Sequence, residues 1–163
     1  MNQTLILAAA ILLTIGTAYA VDQPDLKEGL WSVHSQSIQN PGNKTSSADY
    51  TLCRSHAYDQ SVRAAAKAMK GCTTANESFQ AGKYSSATRC VVANTVIEGK
   101  GTTTMQGDSS FRTESHSTYT PALYGVSETT MIIDQKYLGS CPAGVQPGDR
   151  TSADGKVIHL GKH

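Results

Sequence analysis

The most informative segment of the chain reads Gly29-Leu30-Trp31-Ser32-Val33-His34-Ser35-Gln36-Ser37. Its residues alternate, so that Trp31 and Val33 share one face and the polar residues between them share the other. Alternation with a period of two is typical of a β-strand that buries one face. The segment therefore predicts a half-buried strand, with Trp31 as a core anchor rather than a ligand-binding aromatic.

Further strand patterns follow along the chain, separated by turn signals such as Ala81-Gly82 and Gly107-Asp108, and Gly99-Lys100-Gly101 predicts a break. They cover residues 48–53, 72–80, 83–92, 91–99, 102–105, 111–120 and 128–138. Short strands with frequent turns favour an antiparallel meander. We expect a mainly β fold, a curved sheet or a small open barrel braced by disulfides.

One helix is expected at about residues 59–70, where the strand pattern gives way to a helical one. Asp59 is a suitable N-cap and Gly71 a suitable end, while Val62, Ala66 and Met69 form an apolar stripe. Together with the strand patterns, this stripe predicts a core made of Trp31, Val33, Leu52, Val62, Met69, Phe111, Ile133 and Tyr137.

The N-terminal twenty residues resemble a secretory signal peptide. An apolar run from Leu5 to Ile15 is followed by the cleavage signature Ala18-Tyr19-Ala20, and the run is too short to cross a bilayer. We expect a signal peptide at 1–20, one β-rich domain at 21–141 and an irregular polar segment at 142–163. The protein is therefore expected in the periplasm or outside the cell, without stable membrane insertion once the signal is removed.

The charge of the chain argues against a nucleic-acid partner. Its formal net charge is only +1, so it lacks the basic surface that attracts a phosphate backbone. A basic helical face formed by Arg63, Lys67 and Lys70 is interpreted as a solvated face.

The four cysteines all follow the expected signal peptide, which predicts two disulfides. Four cysteines allow three pairings, and the expected hairpin favours one of them. Cys72 and Cys90 each lie nine residues from a turn centred on Ala81, so they face each other across adjacent strands. The preferred pairing is therefore Cys72 with Cys90 and Cys53 with Cys141.

Several landmarks in the chain resemble the exported bacterial proteins of the domain-of-unknown-function family 3617. They are Leu26-Lys27-Glu28-Gly29-Leu30-Trp31, the four spaced cysteines, Gly99-Lys100-Gly101-Thr102, Gly107-Asp108-Ser109-Ser110-Phe111 and Lys136-Tyr137-Leu138-Gly139-Ser140-Cys141-Pro142. The resemblance spans roughly residues 24–142. It implies a periplasmic location and paired cysteines, and it implies no activity.

No catalytic motif, cofactor-binding loop or metal-ligand spacing emerges from the sequence. His34 and His116 lie at outward strand positions and are interpreted as solvated. We therefore expect a non-catalytic binding or interaction module of the cell envelope, without a cofactor, whose partner is an apolar small molecule or an envelope protein. The alternative is a secreted enzyme inhibitor similar to the β-rich lysozyme inhibitors, and an enzyme is the third possibility.

Overall fold

A computed structural model describes residue 21 and residues 23–159, so the expected signal peptide lies outside the described residues. This part of the chain forms nine strands and one helix. They are β1 (Gly29–Asn40), β2 (Lys44–Arg54), α1 (His56–Lys67), β3 (Cys72–Gln80), β4 (Lys83–Val92), β5 (Thr95–Gln106), β6 (Ser110–Leu123), β7 (Val126–Gly139), β8 (Arg150–Ser152) and β9 (Val157–Ile158).

The strands form one antiparallel sheet in the order β3-β4-β5-β6-β7-β1-β2-β8-β9. The strands β3 to β7 follow each other as a meander, and β1 inserts between β7 and β2. The two ends of the sheet, β3 and β9, do not pair with each other, so the sheet stays open. The expectation of a mainly β, disulfide-braced meander with one short helix is confirmed.

The expected break at Gly99-Lys100-Gly101 is wrong. These residues lie inside β5, which pairs with β4 on one side and β6 on the other without a register shift. A Cβ atom added at Gly99 would come within 3.2 Å of the Ser117 hydroxyl, so the glycine allows close contact between strands. The turn lies earlier in the chain, at Ala93, which stands between β4 and β5 and has a φ of 51°.

The two faces of the sheet differ in what covers them. We call the side toward α1 the helix face, and it carries Trp31 together with its cross-strand partners Leu52 and Tyr137. We call the other side the open face, and it carries His34 with its partners Asp49 and Asp134.

The core lies on the helix face and is small. Trp31 is fully buried, Val33 and Leu52 are buried, and these three predictions are confirmed. The rings of Phe111 and Tyr137 each lie 5.9 Å from the Trp31 ring, but both residues are only half-buried. Ile133, which lies on the same face, is half-buried as well.

The helix begins earlier than expected, at His56, and ends at Lys67. Its N-cap is Ser55, whose side chain accepts a hydrogen bond from the Tyr58 amide at 3.2 Å. Asp59, the expected cap, instead lies in the first turn and is buried. A basic side chain on the preceding strand, Arg54, draws this carboxylate toward the sheet.

Two of the expected core residues are not buried, and those predictions are wrong. Val62 is 43% exposed and Met69 is 58% exposed. Met69 lies beyond the end of α1, before the turn that leads to β3. Val62 remains on the helix, but a crevice lies between it and the sheet residues Leu52 and Phe111.

The segment after Cys141 is more ordered than the expectation of an irregular tail. It adds the short strand β8, which pairs with residues 50–52 of β2, and β9 then pairs with β8. Backbone hydrogen bonds between Cys53 and the pair Gly148 and Asp149 continue this contact. The sheet therefore extends past the expected domain end at residue 141.

Candidate functional site

Both disulfides have the pairing that the hairpin register predicts. Cys72 and Cys90 are directly opposed on β3 and β4, with a Cα–Cα distance of 3.9 Å. Cys53 and Cys141 connect the end of β2 to the chain just after β7, with a Cα–Cα distance of 5.6 Å. All four cysteines are thus structural, and none is free.

The open face contains a groove of about 1020 Å³ that crosses the strands from β5 to β8. Aligned cross-strand positions place Asp49, His34, Asp134 and Arg112 in one row at its centre. His34 lies 2.7 Å from Asp49, and Arg112 donates to Asp134 at 2.7 Å. The four side chains in this row therefore bind each other in two pairs.

Arg112 is held most firmly in this row, because it also donates from Nε to Glu114 at 2.7 Å. The hydrogen bond to Glu114, followed by that to Asp134, raises the pKa of Arg112 above its ordinary value. A guanidinium with two carboxylate partners is fully charged and oriented. We interpret the hydrogen bonds in this row as contacts that stabilise a solvated face of the sheet.

The histidines do not converge. His34 and His116 share the open face, but they lie on β1 and β6, with β7 between them. His116 contacts Thr130 at 3.3 Å and His34 contacts Asp49, so each has its own partner. Within the described residues, no group of three or more His, Cys, Asp or Glu side chains is placed to hold a metal ion.

A second set of concavities lies on the helix face, where α1 and the segment before β1 cover the sheet. The smaller one, which we call the inner crevice, has a volume of about 260 Å³. Its apolar lining comes from three sources: the segment before β1, the sheet and α1. These apolar residues are Pro24, Leu26, Leu52, Val62, Met105 and Phe111.

Arg54 and Asp59 stand at the side of the inner crevice. The guanidinium of Arg54 binds the Asp59 carboxylate at 3.0 Å and donates to the Gln135 amide oxygen at 2.8 Å. It also lies over the rings of Trp31 and Phe111, 5.3 and 5.4 Å from their centres. This buried polar cluster ties α1 to the sheet at one end of the helix.

A larger space, which we call the outer crevice, continues beneath α1 toward β3 and β4. Its volume is about 660 Å³, and it shares Gln23 and Arg63 with the inner crevice, so the two adjoin. Its lining is more polar and includes Tyr84, Glu77 and Lys67.

The polar floor of the outer crevice is ordered by Tyr84, which donates a hydrogen bond to the Glu77 carboxylate. Burial, and then this hydrogen bond, raises the pKa of Tyr84 above its ordinary value. The phenol therefore stays protonated at neutral pH and presents a neutral hydroxyl group. At the mouth, Arg63 and Asp25 form a long ion pair of 3.8 Å.

Comparison with known protein families assigns most of the chain to one family. The family model for proteins of unknown function DUF3617 matches residues 26–141. The chain belongs to DUF3617. No curated protein sequence gives a significant match. The resemblance inferred from the sequence landmarks is therefore confirmed, and the family carries no assigned activity.

The DUF3617 match extends from Leu26 to the second partner of the long disulfide, Cys141. It contains β1 to β7, α1, both disulfides and most of the inner crevice lining. Val21 and residues 23–25, which line parts of the two crevices, lie outside the match, and so do β8 and β9. Among the described helices of this DUF3617 chain, none has the length and apolar character to span a membrane.

Sequence reasoning did not find the crevices. The residues that build them were assigned to a packed core or to no site at all, because a stripe such as Val62 and Ala66 is equally typical of a helix packed on a sheet. One available signal was the small size of the helix side chains, since Ala64, Ala65 and Ala66 give α1 little volume with which to fill a core.

Proposed function

We propose that this DUF3617 chain is a small, non-catalytic binding module of the periplasm that holds an amphiphilic small molecule beneath α1. The observation that supports the proposal best is the incompletely filled apolar space of the inner crevice. Val62 is 43% exposed although it lines the same space as Leu52 and Phe111. Apolar surface of this kind gains free energy when a ligand covers it.

The two adjoining crevices differ in polarity, and this difference defines the ligand. The inner crevice offers apolar contacts, whereas the outer crevice offers the Tyr84 hydroxyl group, Thr88 and the basic side chains of Arg63 and Lys67. A molecule with an apolar body and a hydrogen-bonding head matches both crevices, because its body suits the inner crevice and its head suits the outer one. The head is expected to be compact and polar, because Asp25 and Glu77 offset the two basic residues.

The open-face groove supports ligand binding less well, although it is larger. Its central polar side chains already bind one another, His34 with Asp49 and Arg112 with Asp134, and a ligand would have to displace those contacts. A polar face on one side of an antiparallel sheet is also the ordinary arrangement for a solvated sheet.

The periplasmic location is supported by the signal-like sequence at 1–20 and by the two disulfides, which persist in oxidising compartments. N-terminal sequencing of the exported protein is expected to start at Val21. A protein that keeps Met1, or that stays with the membrane fraction after a salt wash, would contradict this part of the proposal.

Ligand binding can be tested with a substitution on α1 that places a large side chain in the outer crevice. Ala66 lines the outer crevice, whereas its neighbour Ala65 lines neither crevice, and both residues are exposed. The fluorescent amphiphile anilinonaphthalene sulfonate is expected to bind the native protein saturably. Ala66→Trp should weaken this binding at least about tenfold, while the matched variant Ala65→Trp should bind like the wild type.

Equal binding by the two variants at equal stability would overturn the crevice as the site. Native mass spectrometry of protein purified from its own periplasm provides a second readout. A retained small molecule that is present in wild-type protein and absent from Ala66→Trp supports the proposal. Retention of the same molecule by both variants contradicts it.

An enzyme inhibitor is the second candidate, and one observation favours it. The β6–β7 hairpin extends past the neighbouring strands, and Tyr124 at its tip is 98% exposed. A fully exposed aromatic side chain on a projecting hairpin suits insertion into a partner's cleft. Inhibition of lysozyme by the purified protein, lost in Tyr124→Ala, would favour this candidate over the ligand-binding module.

A further inference from the structure

One half of β2 presents an unpaired edge on the described sheet. Residues 44–54 of β2 pair with β1, but β8 covers only residues 50–52 on the other side. Residues 44–49 are all exposed, and we call them the free edge of β2. This edge is distinct from the crevices, because it lies on the opposite side of β1 from β7 to β3.

The hydrogen-bonding groups that point outward along this edge follow from the pairing nearby. Cys53 donates to the Asp149 carbonyl at 3.1 Å and accepts from the Gly148 amide at 2.8 Å, so its backbone groups point away from β1. Orientation alternates along an antiparallel strand. The amide and carbonyl groups of Thr45, Ser47 and Asp49 therefore point outward too.

The free edge is a regular template, unlike the opposite edge of the sheet. The register of β2 against β1 runs without a shift from Lys44 to Arg54. The outer strand β3 instead carries an irregularity between Ala75 and Ser78, with Asn76 at a φ of 54°. Bulges of this kind protect edges from further pairing. The β2 edge lacks this protection.

Charge indicates what kind of strand fits. The Asp49 side chain binds His34 through Oδ1 but stays 69% exposed, and it lies on the open face at the end of the free edge, beside β8. Directly opposed residues of an added strand would share that face. A Lys or Arg opposite Asp49 is favourable, and the small side chains of Thr45 and Ser47 leave space for β-branched residues.

A second copy of the chain fits this edge poorly. If two copies paired antiparallel about a twofold axis at Ser47, Lys44 of one copy would lie opposite Tyr50 of the other. In each copy, however, Ser152 of β8 already pairs with Tyr50. The next possible register opposes Asp49 with Asn43, which lies in the turn before β2 and has a φ of 49°. Few hydrogen bonds remain in that arrangement.

We propose that the free edge of β2 is an interaction surface that accepts an extended segment of a partner protein, with a basic residue opposite Asp49. The chain already extends β2 in this way with β8, so the added segment continues an existing contact. Strand addition obtains affinity from backbone hydrogen bonds and specificity from side chains on alternate positions. The receiving strand β2 lies inside the family match, whereas β8 lies outside it.

The test uses the full mature protein and a synthetic hexapeptide of alternating Thr and Val with one Lys at the position opposite Asp49. Amide hydrogen exchange by nuclear magnetic resonance should show new protection at Thr45, Ser47 and Asp49. A peptide that is N-methylated at the residues facing β2 should lose binding. The matched peptide, methylated at the alternate residues, should keep it.

Charge reversal supplies an independent check. The variant Asp49→Lys is expected to bind the Lys peptide at least about fivefold more weakly and to bind the corresponding Glu peptide more tightly than the wild type does. Protection at β3 in place of β2, or the same affinity for both methylated peptides, would overturn the proposal. Concentration-dependent dimerisation that protects the same three amides without peptide would also overturn it, in favour of a second copy.

Discussion

Arg54 lies over the Trp31 ring, with its guanidinium carbon 5.3 Å from the ring centre, and it binds Asp59 of α1 in the same position. The two charged side chains are only 13% and 10% exposed. Their ion pair and the stacking on Trp31 connect the helix to a core that has few buried apolar residues. The attachment of α1 therefore depends on a polar cluster as well as on hydrophobic packing.

Asp59→Ala is expected to lower the free energy of unfolding by about 3 kcal/mol, because it leaves the largely buried guanidinium of Arg54 without its carboxylate. The double variant Arg54→Met, Asp59→Leu removes both charges together and should recover most of this loss. Urea unfolding of the three proteins measures the difference. If the double variant is less stable than Asp59→Ala, the pair itself contributes net stability and this explanation fails.

Trp31→Ala is expected to cost about 3 to 5 kcal/mol, since the ring is fully buried and its Nε1 atom donates to the Lys27 carbonyl at 2.9 Å. Removing the indole should also release the segment before β1, which covers the inner crevice, because the hydrogen bond to Lys27 is lost. Tyr124→Ala is the matched aromatic control, because that ring is 98% exposed and its removal should change stability by less than about 0.5 kcal/mol. A small effect at Trp31 would contradict the assigned core.

Most of the sheet could be predicted because its signals are local. The hairpin of β3 and β4 has the predicted bounds, since the turn at Ala81 and Gly82 and the alternating residues on both sides act over a few positions. The same local signals place Cys72 opposite Cys90. Alternation also predicts that Trp31 and Val33 share the buried face of β1. This prediction does not require knowing which strands lie beside β1.

The relationships that sequence could not reveal are those between distant elements. The position of β1 between β7 and β2 depends on pairing across about a hundred residues, and no short-range pattern encodes it. The role of Arg54 likewise depends on Gln135 and Phe111 from other strands. Val62 was predicted as core because periodicity identifies an apolar face, but periodicity does not determine how closely a helix approaches the sheet.

The long disulfide is expected to stabilise the fold more than the short one. Cys53 and Cys141 close a loop of 88 residues, whereas Cys72 and Cys90 close one of 18. The loop-entropy relation gives about 4.6 kcal/mol for the first and about 3 kcal/mol for the second, as upper estimates. Urea midpoints of the two paired Cys→Ser variants test the order. A larger loss from the Cys72 and Cys90 pair would show that hairpin packing, rather than loop closure, dominates.

The acid stability of the fold is expected to depend on Asp149. Its carboxylate accepts a hydrogen bond from the Gln146 amide at 2.8 Å and contacts His159 at 2.8 Å, and the residue is only 5% exposed. The backbone hydrogen bond is the larger cause that lowers the pKa of Asp149 below its ordinary value of 3.8, and His159 is the smaller. A group whose pKa is lower in the folded state stabilises the fold above the unfolded-state pKa, and this contribution disappears as pH falls through the folded-state pKa.

Asp149→Asn should therefore be less stable than the wild type near neutral pH, and the difference should shrink as the pH falls below about 3.8. His159→Ala is the matched control and should keep most of the wild-type pH dependence, because it leaves the Gln146 hydrogen bond intact. Urea midpoints of the three proteins, measured from pH 7 to pH 2, provide the comparison. A difference between wild type and Asp149→Asn that stays constant over this range would mean that the side chain supports the β2–β8 contact by its shape alone, without any contribution from its charge.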